Sequence, residues 1–319
     1  MNSINSSKAG PKVSIGMPVY NAGYFLRERL DNILSQTFAD FELIISDNAS
    51  TDSTLSICEE YSKKDKRIRC FRREKNMGGF WNFSFVLQQA KYELFVWAAV
   101  DDKWNADFLE KNVSVLESNK NIVGSTGRVE RYGLPVNEFK PNPTYSLVKK
   151  SYKKIRRHFR PFGTFPAFGP WEKKAGFYLR HQSAQSIYAV YRTDKLKVSV
   201  LSKPISAWDM AVILNVLKHG DLHVIDEVLW YWYTGGDSSR GLIDRYSKGT
   251  MTLKQLIFGP SSFVRWCIRN HGIKFFLKNF DCFIWLYCIN PIGLTMELIQ
   301  IFKQKVSSRE SKKFMPPAL

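Results

Sequence analysis

Three short polar segments in the first third of the chain carry the residue types that bind ligands: Pro18-Val-Tyr-Asn21, Ser46-Asp-Asn-Ala-Ser-Thr-Asp52 and Ala99-Val-Asp-Asp-Lys-Trp104. Each follows an apolar run. Carboxylates and amides gathered in this way accept hydrogen bonds from the N–H and O–H groups of a ligand. The plainer alternative is that Asp47, Asn48, Ser50 and Asp52 are turn and cap residues that satisfy nearby backbone. A fourth feature, Ser206-Ala-Trp-Asp209, opens a helix-period segment. Its carboxylate either returns to the backbone in a capping box or stands in the first turn beside a cleft, where it could take a proton. No GxGxxG follows the first apolar run and no GxxxxGK[ST] occurs, which excludes a dinucleotide fingerprint and a Walker loop. Cys58, Cys70, Cys267, Cys282 and Cys288 form no CxxC or Cys/His spacing, and this odd, scattered set reads as reduced thiols.

The elements that must position these segments alternate. Val13 to Met17 reads as a strand and Tyr24 to Gln36 as a helix with Phe25, Leu26, Leu30, Ile33 and Leu34 on one stripe. A second strand from Phe41 ends at Asp47, and Asp52 or Ser53 can cap the helix carrying Leu55, Cys58 and Tyr61. Ile68–Phe71, the helix-period segment 80–90 and the strand 93–100 continue the pattern into Asp101-Asp102. This βαβαβαβ order requires a mostly parallel sheet flanked by helices, an α/β Rossmann-like architecture. Ligands of such sheets bind at the carboxyl ends of the strands, where the three polar segments fall.

The 319 residues are 44% hydrophobic and 24% charged, an ordinary globular composition. The formal net charge of +18 points to an anionic partner. Lys149 to Arg180 carries ten basic residues against one acid, Glu172, with Phe159, Phe162, Phe165, Phe168 and Trp171 between them, as a membrane-surface or anionic-acceptor loop would. From Gly241 onward twelve basic residues face four acidic ones, set among aromatics such as Phe263, Trp266, Phe276, Phe280 and Trp285. This helical extension either packs on the core or lies on an anionic leaflet. Residues 1–11 read as a flexible tail without the apolar core of a secretory signal, and no stretch is long enough to span a bilayer. Basic residues interleaved with aromatics also fit single-strand nucleic-acid binding, but three acidic loops would repel phosphates, so no nucleic-acid partner is expected.

Pro18-Val-Tyr-Asn21, Ser35-Gln-Thr-Phe38, the 46–52 segment, Asn76-x-Gly78 and Asp101-Asp102-x-Trp104, in this order, resemble the glycosyltransferase family 2 pattern of the GT-A fold. The resemblance implies an inverting enzyme that moves a sugar from a UDP- or dTDP-sugar to a glycan or lipid-linked acceptor in surface polysaccharide assembly. It divides the chain into a nucleotide-sugar half, 12–128, an acceptor half, 129–240, and the extension 241–319. It implies nucleotide binding by Pro18, Tyr20, Asn21, Asp47, Asn48, Asn76, Gly78 and Asp101, a Mn²⁺ or Mg²⁺ ion held by Asp101 with Asp102, and Asp209 as the base. The chain departs from the family at Ala99, where the first Asp of DxD stands, at Trp208, where the first acid of a pair stands, and at Tyr233–Ser239, where a His often follows the last strand. Asp102 either compensates for Ala99 or caps a helix beginning near Asn105. The location expected is cytoplasmic, peripheral on the inner face of the membrane; a non-catalytic protein of the same fold is the alternative.

Overall fold

The computed structural model describes residues 12–133, 162–181, 184–235, 253 and 261–288, with 291–292, 294–295 and 298–299. These form two compact units. One holds the described residues up to 204 together with 208–234, and the other holds 205–207 and the described residues from 235 onward. The tail 1–11, the first part of the basic loop, 149–161, and Asp237 to Ser239 lie outside the described residues.

The first unit is an α/β sheet domain. It runs β1 (Val13–Val19), α1 (Gly23–Leu34), β2 (Phe41–Asp47), α2 (Thr54–Lys64), β3 (Ile68–Arg72), α3 (Gly79–Gln88), β4 (Leu94–Trp97), β5 (Lys103–Trp104), α4 (Phe108–Ser118) and β6 (Ile122–Tyr132). After the undescribed segment come α5 (Trp171–His181), a 3-10 turn (Ala184–Tyr188), β7 (Val190–Arg192), α6 (Thr193–Ser199), α7 (Trp208–Val216) and β8 (Asp221–Tyr233). The strands form one sheet in the order β3-β2-β1-β4-β7-β6-β8-β5. The first four are parallel neighbours; β7 runs antiparallel to β4 and β6, and β6 pairs parallel with β8.

Both faces of the parallel strands are covered, so β1 and β2 read as nearly continuous apolar runs: Val13, Ile15, Met17, Phe41, Leu43, Ile44 and Ile45 are all fully buried. The stripe predicted for α1 is seated against them through Leu26, Leu30 and Ile33. Gly16 leaves room on the α3 side of the sheet, since a Cβ there would come within 2.5 Å of the Phe95 ring and 2.8 Å of Val86. In register, Val19 lies beside Asp47 and Asp47 beside Arg72, so the chain leaves β1, β2 and β3 at one edge.

Three details differ from the sequence expectations. Strand β4 stops at Trp97 rather than Val100, because the chain departs once Ala98 N–H has bonded to the Gly16 carbonyl. Helix α4 begins at Phe108, not near Asn105, because the Asn105 N–H is taken by the Leu229 carbonyl and its amide by the Val228 carbonyl. Strand β8 pairs with β6 on one side and β5 on the other. The described part of the basic aromatic loop contains a docked helix, α5, with Lys174, Ala175, Tyr178 and Leu179 buried. Lys174 is held by the Gly220 carbonyl at 2.6 Å and Asp221 at 2.9 Å.

The second unit contains α8 (Ser261–Lys278), kinked at Gly272, whose φ of 83° only glycine adopts easily, and further helical residues over 280–288. Phe263, Val264, Cys267, Phe275, Cys282, Phe283 and Leu286 are buried. Ser262 also ties down the start of this unit, its hydroxyl accepting the Ser206 N–H at 2.9 Å.

Candidate functional site

The first two polar segments are stitched into one edge. Ser50 Oγ accepts the Asn21 N–H at 2.8 Å, Thr54 Oγ1 accepts the Ala22 N–H at 2.7 Å, and Asp52 accepts the Gly23 N–H at 3.0 Å. Asn21 Oδ1 in return accepts the Thr51 N–H at 2.9 Å. Asp52 also accepts the Thr54 N–H, so it serves the start of α2, while Ser53 at the cap position makes no side-chain bond. Asn21, Ala49 and Ala207 are the non-glycine residues with positive φ among the described ones, at 47°, 62° and 54°. Asn21 is itself a sequence-predicted site residue, Ala49 adjoins Asn48, and Ala207 lies two residues before Asp209. Such backbone strain costs of order 1 kcal/mol or more apiece and persists where surrounding contacts enforce it.

Asp47 is completely buried at the end of β2. One carboxylate oxygen accepts the Ser50 N–H at 3.0 Å; the other is buried with no hydrogen-bond partner. A buried carboxylate oxygen without a donor is a strong unmet demand, and a ligand N–H would answer it. Asn48 links the second segment to the start of α3: its amide donates to Asn76 Oδ1 at 2.8 Å and its carbonyl oxygen accepts the Met77 N–H at 2.9 Å. Asn76 also accepts the Gly78 N–H, and Gly78 has a φ of 85°. Pro18 is half-buried and Tyr20 is exposed at the same edge.

The third segment is anchored from several sides. Asp102 is buried; its carboxylate accepts the Tyr233 N–H at 3.1 Å. The reading of Asp102 as a cap for a helix near Asn105 is therefore corrected: it ties the loop to β8. Burial, and then the charge of Asp101, push its pKa up to about 7. Asp101 is half-buried, and the Tyr132 hydroxyl donates to its carbonyl.

Asp209 stands in the first turn of α7. The Ser206 N–H that a capping box would offer it goes instead to Ser262. The preceding Trp208 fixes this turn against α3 and β4, with ring centroids 5.5 Å from Phe80, 5.4 Å from Phe83 and 6.4 Å from Trp97. Asp209, Asp101 and Asp102 converge on Tyr188: burial and then the charges of Asp102, Asp101 and Asp209 raise the pKa of its phenol. Asp47 is not part of this cluster. Its charge reaches Cys58 and Cys70, on the α2 side.

Sequence reasoning missed Tyr188, Tyr132, Arg29 and Asn82. Asn82 joins the ends of β1 and β2, donating to the Ser46 carbonyl at 2.9 Å. An amide among Phe80, Phe83, Phe85 and Val86 was the available signal for it. Arg29 on the buried stripe of α1 was another. The tyrosines act across the sheet and leave no local trace.

No group of three or more His, Cys, Asp or Glu able to hold a metal occurs among the described residues. Two neighbouring carboxylates remain, Asp101 and Asp102. This donor set fits a Mn²⁺ or Mg²⁺ ion that draws its other ligands from phosphate and water, and does not fit a closed structural site.

Residues 14–171 match the family described as Glycosyl transferase family 2. A Bacillus subtilis protein named for teichuronic acid biosynthesis, glycosyltransferase TuaG, is 31% identical over 131 residues, which is 40% of this chain and 52% of that one. The chain spans 52%, 37% and 44% of the length of three such curated relatives. Among solved structures, S. aureus TarS 1-349 in complex with UDP-GlcNAc is similar with a TM-score of 0.51 and 22% identity, over 70% of this chain and 58% of that one. The mannosyltransferase PcManGT from Pyrobaculum calidifontis, in complex with GDP-Man and Mn²⁺, gives a TM-score of 0.54 at 16% identity over 97% of this chain and 82% of that one. At these identities the two structures share the fold.

Proposed function

The chain belongs to glycosyl transferase family 2, and from that premise we propose that it moves a sugar from a UDP- or dTDP-sugar to a hydroxyl of a glycan or lipid-linked acceptor, with inversion, in surface polysaccharide assembly. The observation that carries this reading is the unmet buried acceptor on Asp47, and it is supported by Asp101, Asp102 and Asp209, whose charges all act on Tyr188. The acceptor suits a pyrimidine and the three carboxylates a reacting diphosphate and hydroxyl.

Asp47 accepts the imide N–H of the base beside Pro18 and Tyr20, while Asn21, Asn48, Asn76 and Gly78 frame the nucleotide. Asp101 and Asp102 would hold a divalent cation, which would supply charge neutralisation for the departing diphosphate. Asp209 takes the proton of the acceptor hydroxyl. That oxygen bonds to the anomeric carbon as the carbon–oxygen bond to the diphosphate breaks on the opposite face, which inverts the configuration. A non-catalytic nucleotide-sugar binder is the second reading, favoured by Ala99 in place of a carboxylate.

The same proposal places the protein on the cytoplasmic face of a membrane. No helix of the described residues is long and apolar enough to cross one. Support comes from the charge excess after Gly241 and from Ile273, Leu277, Phe280, Ile284 and Tyr287. These are 54%, 62%, 49%, 45% and 37% exposed at alternating spacings of four and three residues, with Lys274 and Lys278 exposed beside them. An apolar face flanked by lysines matches an anionic lipid surface.

Calorimetry with UDP tests the nucleotide site. Asp47→Ala is expected to weaken binding by about 1.5–3 kcal/mol, the scale of a hydrogen bond to a charged group. Unchanged affinity would remove Asp47 from the site.

A further inference from the structure

Arg29 faces the core from α1 and is 2% exposed. A buried guanidinium is rare unless paired, and at such a position an apolar side chain of similar volume is usually no less stabilising. Here the group is used on one side. Its Nε–H donates to the Ala99 carbonyl at 2.9 Å, its Nη1 donates to Asn32 Oδ1 at 2.6 Å, and its Cζ lies 4.2 Å from the Trp104 ring centroid. Asn32, one turn further on, donates to the Trp104 carbonyl at 2.8 Å and accepts the Trp104 N–H at 2.9 Å. One turn of α1 therefore grips both ends of the segment 99–104, and Asp101 and Asp102 stand between the grips.

The other side of the guanidinium is open: Nη2 is buried and has no hydrogen-bond partner. The neighbours whose charges act on the group are Asp102, Tyr132 and Asp101. The bond to position 99 goes to the backbone, and the side chain there is a methyl, so no carboxylate at 99 competes for the cation. We propose that Arg29 is the positioning residue of the Asp101–Asp102 loop and the fixed positive charge behind it, setting both the place of the two carboxylates and the net charge that a nucleotide diphosphate meets. Arg29 does not touch substrate. It acts through the loop, and the inference rests on the reading of this edge as a nucleotide-sugar site.

The test compares UDP with uridine, since Arg29 serves the diphosphate side and not the Asp47 side. Affinities are measured by calorimetry, in EDTA and in Mn²⁺, for the wild type, Arg29→Met, Arg29→Lys and Leu30→Val. The last trims the buried α1 stripe away from the loop and serves as a stability control. Arg29→Met is expected to lose about tenfold or more in UDP affinity, the scale of one hydrogen bond to a charged group, with uridine affinity unchanged. Arg29→Lys keeps the charge but cannot bond Ala99 and Asn32 together, so a smaller loss is expected, again confined to UDP. Leu30→Val should bind both ligands as the wild type does. Equal UDP affinity in Arg29→Met and Leu30→Val, or parallel losses for UDP and uridine, would overturn the positioning role. If Arg29→Met does not fold, wild-type UDP affinity in Arg29→Lys overturns it equally. Failure of the wild type itself to bind UDP is a distinct result, and contradicts the reading of the site as a whole.

Discussion

The individual carboxylates of this protein are set apart by surroundings more than by sequence context. Asp101 and Asp102 are adjacent, yet one is half-buried and the other is buried against the Tyr233 N–H. The consequence for Asp102 is a dependence of stability on pH. Its pKa is about 7 in the folded protein against an ordinary 3.8, because burial and the charge of Asp101 disfavour the carboxylate. Between these values the folded state holds a proton that the unfolded chain has released, so stability falls as pH rises from about 4 through 7. In metal-free protein the stability difference between the wild type and Asp102→Asn should therefore shift against the wild type as pH rises across that window. A difference that does not change with pH would mean that Asp102 is ionised throughout. The sequence made the identities of Asp47, Asp101 and Asp209 legible as candidates, because each follows or opens an apolar or helix-period run. It could not show that Asp47 has an unmet oxygen, or that the charges of Asp101, Asp102 and Asp209 all act on Tyr188, since both depend on chain segments far apart in number.

At the scale of elements, the two edges of the parallel strands are used differently. At the carboxyl edge the side chains stitch loops together around open acceptors. At the opposite edge Glu42 is buried, accepts Ser14 Oγ at 2.7 Å and the Lys91 N–H at 3.0 Å, and pairs with Arg69 at 2.8 Å. This network is closed, and its role is stability. Glu42→Ala is expected to destabilise the fold by about 1.5–3 kcal/mol in chemical denaturation while leaving UDP affinity unchanged. A loss of nucleotide binding at full stability would contradict this division of roles. The alternating order of strands and helices was readable from β1 to β4, because periods of two and of 3.6 residues are local properties. The ends of β4 and α4 were not, since they are set by what Gly16, Val228 and Leu229 offer across the sheet. Helix α5 was hidden for a related reason: a basic run set with aromatics reads as a surface or acceptor-binding loop, and the burial of Lys174 depends on Asp221 and the Gly220 carbonyl lying beside it.

For the whole molecule the excess of basic residues and the exposed apolar residues of the second unit carry the account beyond the sheet domain. Each Lys or Arg near an anionic surface contributes about 1 kcal/mol, so several together suffice for attachment. The Debye length shortens from about 10 Å at 0.1 M salt to about 3 Å at 1 M, which weakens that part and leaves apolar insertion. Flotation should recover the protein with phosphatidylglycerol-containing vesicles, less with neutral ones and less at high salt, and Leu277→Glu with Ile284→Glu should reduce recovery further. Equal recovery with and without anionic vesicles would leave the apolar face to another role. The central claim concerns turnover, and its most direct measurement is release of the nucleotide diphosphate from UDP- and dTDP-sugars in Mn²⁺ by the wild type and by Asp209→Asn. The wild type should hydrolyse at least one such donor slowly without acceptor. The variant should bind that donor equally well, melt at nearly the same temperature, and turn it over about a hundredfold or more slowly, as loss of a general base requires. Full turnover in Asp209→Asn, or no turnover of any donor by a wild type that binds UDP, would contradict the account.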